Sequence, residues 1–216
     1  MRHLVKTLLS LAAVVAAWLL LTSYGPPSWI ATWAPCPRNW AWLPAWLPRK
    51  SPLDALAFRL DDTHVKVCYG RPSLRGRKVI GGDVVPFGRL WRTGANEPTT
   101  IHVDGPIRLG GLALLPGSYS LYTIPQPGAW TVIVNRSIHQ WGLESEYTDA
   151  VQQREVGRFT VRAEPLDAPL ETLAFRAVPS GDDGSDLLIE WESVRIRISV
   201  QPGLGDLPDT AGDSTP

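Results

Sequence analysis

Val194-Arg195-Ile196-Arg197-Ile198-Ser199-Val200 alternates aliphatic and polar side chains without a break. A strand sends successive side chains to opposite faces, so this stretch reads as a strand with one face buried. The same two-residue period recurs upstream. Val65 and Val67 alternate with Lys66 and Cys68, and Ile101 and Val103 with Thr100, His102 and Asp104. Ile107 and Leu109 lead to Gly110-Gly111, a hairpin turn pair. Tyr119–Ile124, Trp130–Val134, Phe159–Val161, Leu173–Phe175 and Leu187–Trp191 continue the series. Twenty prolines and nineteen glycines supply the turns. Such spacing predicts an all-β fold over residues 57–201, an antiparallel β-sandwich or partly closed barrel. A helical turn is expected near Tyr147–Gln153, and residues 202–216, rich in Pro, Gly, Asp, Ser and Thr, are expected as a disordered tail.

The front of the chain has a different character. Arg2, His3 and Lys6 flank an apolar run, and residues 4–23 are long enough for one N-terminal transmembrane helix. Pro26-Pro27 would stop it. A cleaved signal peptide is the rival, but Leu21-Thr22-Ser23-Tyr24-Gly25-Pro26 offers a peptidase a poor exit, so residues 1–23 read as an uncleaved anchor. Basic residues before the span place the amino terminus in the cytoplasm. The expectation is a single-pass inner-membrane protein with its bulk in the periplasm.

Residues 24–56 form a linker that holds seven prolines and five of the ten tryptophans, Trp29, Trp33, Trp40, Trp42 and Trp46. Tryptophans beside a span belong at headgroup depth, so this collar reads as a stiff spacer or as a docking surface for an envelope protein. Cys36 and Cys68 are the two cysteines. They could form a disulfide tying collar to domain, or remain two buried thiols.

Lys plus Arg equals Asp plus Glu at 21 each, so no net field favours nucleic acid. Hydrolase elbows, phosphate loops, dinucleotide glycine patterns and zinc-helix motifs are missing from the sequence. No cofactor or metal is implied, and His102-x-Asp104 is too slight a ligand pair. Two stretches carry candidate chemistry. The turn Gly70–Lys78 gathers Arg71, Arg75, Arg77 and Lys78, whose cations suit an anion or local acids. Trp91-Arg92-Thr93-Gly94-Ala95-Asn96-Glu97 combines an aromatic, a cation, an amide and a carboxylate. Gly94 is expected to make a positive-φ bend. Glu97 is expected to pair with Arg92 or Arg77. Arg92, Asn96 and Glu97 could grip a polar ligand over Trp91, or clamp two sheets together.

A long set of short motifs runs through the body of the chain: Tyr69-Gly70-Arg71-Pro72-Ser73, Gly76-Arg77, Pro86-Phe87-Gly88 and Trp91–Glu97. Further along come Thr99-Thr100, Leu115–Leu121, Thr123-Ile124-Pro125, Trp130-Thr131, Asn135 and Gln140-Trp141-Gly142. In these residues the chain resembles a bacterial family known as domain of unknown function 2911. The likeness runs from about Ala57 to Val200 and is loosest after Tyr147, where Leu188-x-Glu190-Trp191 still fits. It implies a mostly β, usually exported domain and no reaction, cofactor or catalytic residue. The long span and tryptophan collar depart from the ordinary export signal of the family.

These readings converge on a membrane-anchored binding module, held in the bilayer by residues 4–23, that takes a polar or anionic ligand through Arg71, Arg77, Trp91, Arg92, Asn96 and Glu97. A hydrolase using Glu97 as base with Arg92 or His102 is the catalytic alternative. An assembly partner acting through the tryptophan collar is the structural one.

Overall fold

The computed structural model describes residues 28–36, 49–181 and 183–203. The anchor expected over residues 4–23, most of the tryptophan collar and the tail beyond Gly203 lie outside them. Among the described residues no helix is long and apolar enough to cross a membrane.

Nine antiparallel strands follow the short helix α1 (Ser28–Trp33). They are β1 (Leu53–Leu60), β2 (Thr63–Gly70), β3 (Thr99–Val103), β4 (Ile107–Leu109), β5 (Leu112–Leu114), β6 (Gly117–Gln126), β7 (Ala129–Asn135), β8 (Glu155–Ser180) and β9 (Gly184–Pro202). A one-turn helix α2 (Asp149–Gln152) sits where a helical turn was expected. The expectation of two facing sheets holds only in its all-β, antiparallel part. The strands form one sheet in the order β1-β2-β3-β6-β7-β8-β9-β4-β5, and it does not close into a barrel.

The reason lies in β8. Phe159–Val161 and Leu173–Phe175, two strands by their hydrophobic period, belong to a single strand of 26 residues. Its residues 155–162 pair with β7 and its residues 163–180 with β9, with register shifts between Pro165 and Leu170 and between Leu170 and Ala174. Bulges bend and twist a strand. The bend brings both halves of the sheet around a single core, where Val67, Ile101 and Leu121 from one side join Leu173, Ile196 and Ile198 from the other.

The opposite face of β2, β3 and β6 is polar yet covered. Lys66, Thr100, His102 and Ser120 are all buried there. Antiparallel register sets Lys66 beside His102, and His102 beside Ser118. The covering strap is residues 28–36. Cys36 and Cys68 are joined by a disulfide with their Cα atoms 5.7 Å apart, which settles the choice between disulfide and free thiols. The Lys66 ammonium donates to the Ala34 carbonyl, and Trp33 lies 4.8 Å from the His64 ring.

The disulfide closes a loop with a sequence separation of 32, worth about 3–4 kcal/mol by chain entropy. The Cys36→Ser/Cys68→Ser chain is expected to lose about that much stability in urea unfolding while keeping its β-sheet circular dichroism. A loss under about 1 kcal/mol would mean that the strap does not depend on the bond.

Candidate functional site

One backbone pairing sorts the residues of the Leu90–Glu97 loop. The Trp91 N–H donates to the Thr123 carbonyl and its carbonyl accepts from the Thr123 N–H, both at 2.8 Å. Extended backbone turns Trp91 and Arg92 to opposite sides. Trp91 enters the core, stacked on Trp191 at 5.8 Å and edge-on to Trp130 at 5.9 Å. Its indole N–H donates to the Gly94 carbonyl at 3.1 Å.

Arg92 goes the other way, towards Tyr122. Its Nη1 donates to the Asn96 carbonyl at 3.1 Å. Burial lowers its pKa, opposed by the nearby Tyr122 and Glu97. Among the described residues no carboxylate lies within 4.0 Å of the guanidinium. Glu97 does not pair with Arg92 or Arg77. Arg49 takes it, with one Nη1 bonded to both carboxylate oxygens at 2.9 and 2.7 Å. The pair is almost wholly buried, with side-chain exposures of 13% and 7%. Sequence gave no sign of Arg49, which comes from the linker 48 residues away.

The bend expected at Gly94 falls on Thr93 (φ 54°) and Asn96 (φ 67°) instead. A β-branched residue at positive φ is strained and persists only where its surroundings over-determine it. Thr93 is fully buried, and its carbonyl accepts from Thr99 Oγ1 at 2.9 Å. The loop is also gripped from two sides. A Cβ on Gly70 would sit 1.9 Å from the Ala95 oxygen, and one on Gly142 would sit 2.4 Å from Arg92 Cδ.

The side chains of the other candidates bond to groups other than Arg92 and Glu97. Arg71 reaches Asp54 at 3.5 Å and the Leu173 carbonyl at 3.3 Å. Arg77 folds back on the Leu74 and Ser73 carbonyls at 2.9 and 3.1 Å. Asn96 donates its side-chain amide to the Ser51 carbonyl at 3.2 Å, which ties the loop to the linker.

Two concavities flank the corner. A cleft of about 490 Å³ is lined by Asp83, Arg89, Trp91, Arg92, Leu143 and Glu144 among others. Arg89 and Glu144 form an ion pair at 2.8 Å on its rim, and Val84 and Leu143 are 44% and 45% exposed beside it. A smaller cavity of about 100 Å³ lies under the strap, where Glu97, Thr100, His102 and Ser118 meet Ala31 and Ala34. No cluster of three or more metal-ligating side chains occurs among the described residues.

The family model described as protein of unknown function (DUF2911) matches residues 51–200, well over half of the chain. The chain belongs to the DUF2911 family. No curated protein and no solved structure matches it.

The buried polar face of this DUF2911 domain is where sequence reasoning fell short. Tyr122 Oη accepts from Gln140 Nε2 at 2.9 Å, and burial pushes its pKa up to about 12. His102 bonds Ser118 through Nδ1 at 2.7 Å and Thr100 through Nε2 at 3.0 Å. Burial, with the Lys66 charge adding, pushes its pKa down to about 4, so the ring is neutral at pH 7. The available signal was the kind of polar residue. Thr100, His102, Ser118, Ser120 and Tyr122 are mostly uncharged, unlike the Arg195 and Arg197 of an exposed face.

An unfolded histidine titrates near 6.5, so the unfolded chain binds more protons than the folded one between about pH 4 and 6.5. Stability is therefore expected to fall as pH drops through that window, by at most about 3 kcal/mol from this residue. His102→Gln should flatten that part of the pH profile in urea unfolding. An unchanged profile would assign the proton uptake elsewhere.

Proposed function

We propose that this domain is a binding module for a small anionic or sugar-acid ligand, held in the cleft beside Arg92. The observation that carries the reading is the charge balance of the buried corner. Among the described residues Arg49 and Arg92 have one carboxylate beside them, Glu97, and Arg49 holds it directly. The second cation is left desolvated with a backbone carbonyl as its only hydrogen-bond partner among the described residues. A guanidinium in that state gains most from a carboxylate, phosphate or sulfate oxygen, because its two-pronged donor set matches those groups. The cleft volume falls in the range of small-molecule sites, and Leu143 with Val84 offers an apolar wall to a sugar ring.

The proposal includes the location. Residues 4–23 would hold the chain in the inner membrane with the β domain outside the cytoplasm. The Cys36–Cys68 bond supports this, because such bonds persist in oxidising compartments. Catalysis by Glu97 finds less support, since Arg49 occupies both of its oxygens and His102 is too poor a base at pH 7.

Calorimetric titration with glucuronate, phosphate and sulfate tests the reading, with glucose as the uncharged control. At least one anion is expected to bind, and Arg92→Ala is expected to weaken it at least about tenfold, the cost of losing one charged hydrogen-bonding group. Arg77→Ala, in a separate turn, is expected to change affinity less than about twofold. Retained anion binding in Arg92→Ala, or a fall in melting temperature with affinity unchanged, would reassign Arg92 to holding the fold.

A further inference from the structure

The outward face of β8 and β9 gathers two arginines on one buried carboxylate. Glu190 is 2% exposed, and Arg176 Nη2 lies 2.9 and 2.6 Å from its two oxygens. Arg195 Nε donates to Oε1 as well. Residues five apart in a regular strand face opposite ways, so Glu190 and Arg195 would not meet in one. Glu192, at φ 54°, resets the alternation of β9. The strand's core residues are Leu187, Ile189 and Trp191 before that point and Ile196, Ile198 and Val200 after it.

Beside this cluster β8 makes a recess. Pro165 pairs with Val194 and Ala174 with Glu190, so nine steps of β8 are set against four of β9. The surplus chain borders a recess of about 270 Å³. Leu166, Ala168 and Leu170 of the bulge, with Ala174, form its apolar wall. Its charged groups are Arg176, Arg195, Glu190 and Asp167.

Glu190 is occupied by the two guanidiniums. Both terminal nitrogens of Arg195 and one of Arg176 have no hydrogen-bond partner among the described residues, and Asp167 has none either. Glu164 stands opposite Arg195 in the register but forms no ion pair with it within 4.0 Å, and it lines a different recess. Arg197 is held by Asp186 at 2.7 Å. One positive charge is therefore unmatched among the arginines, and one negative charge stands on the bulge. A plain anion would sit beside Asp167, and a plain cation beside two guanidiniums. A molecule that carries both charges meets a partner for each.

We infer that the recess in the β8 bulge is a binding site for a zwitterion of the amino-acid class, its carboxylate taken by Arg195 and Arg176 and its ammonium by Asp167. The charges, rather than the volume, set the class, since guanidinium forks match carboxylate oxygens. The recess shares no residue with the Arg92 cleft and does not depend on it.

Ligand-observed NMR on the full-length chain tests this with 2-aminobutyrate and 4-aminobutyrate, isomers that differ in charge spacing. Butyrate and butylammonium are the singly charged controls. At least one isomer is expected to bind about tenfold tighter than either control, the gain from one more charged hydrogen-bonded pair. Asp167 is exposed, so Asp167→Asn spares the fold and should lower that isomer to the affinity of butyrate. Arg195→Lys keeps a cation beside Glu190 but removes the terminal nitrogens, and should weaken it about tenfold. Arg92→Ala should change nothing. Isomers that bind no tighter than butyrate would overturn the proposal, and so would a preference that survives Asp167→Asn. Loss of binding in Arg92→Ala would overturn it too, by moving the ligand to the other cleft.

Discussion

The antiparallel bridge between Trp91 and Thr123 is the constraint from which the site follows. It makes two consecutive residues face opposite ways. One indole completes a tryptophan cluster in the core, and the next guanidinium is carried to the polar side. Neither placement could be changed alone, because a shift of one residue would bury Arg92 among Trp130 and Trp191. Gly70 and Gly142 fix the register further by leaving no room for the loop to slide. The strain at Thr93 is sustained by that grip, and its full burial shows how thoroughly the surroundings determine it.

A buried polar face follows from the same arrangement. Sheets of this kind commonly keep one face in the core and one in water. Here the second face is roofed by the disulfide-bonded strap, so its polar groups satisfy one another. No buried side-chain nitrogen or oxygen lacks a partner among the described residues. The cations are the exception to complete neutrality. Lys66 has a backbone carbonyl and Arg92 another, whereas Glu97 serves Arg49. Carbonyls satisfy the hydrogen-bonding geometry but not the charge, and desolvation lowers the pKa of both groups.

How legible this was depended on the range of the interaction. Alternation in Val65–Cys68, Thr100–Val103 and Val194–Val200 reports a local property, and those stretches are strands. The merger of Phe159–Val161 with Leu173–Phe175 into β8 was hidden, because bulges interrupt the period without ending the strand. Burial of His102 and Lys66 was hidden too. Their polarity at outward positions predicts solvent, and only a strap fastened from a distant cysteine reverses that. The Gly94 expectation failed for a comparable reason. Its lack of a Cβ serves the close approach of Thr99 and Gly70 rather than a left-handed turn.

The two concavities differ in which parts of the chain build them. Every residue around the cleft, from Asp83 to Glu144, falls inside the stretch matched to the family. The cavity roof does not, because Ala31, Ala34, Pro35 and Cys36 precede residue 51. Its floor and its fastening point, Cys68, lie within the match. The cleft therefore depends only on how the β domain folds. The cavity needs, in addition, a covalent bond between that domain and the linker before it, so reducing conditions act on one and spare the other.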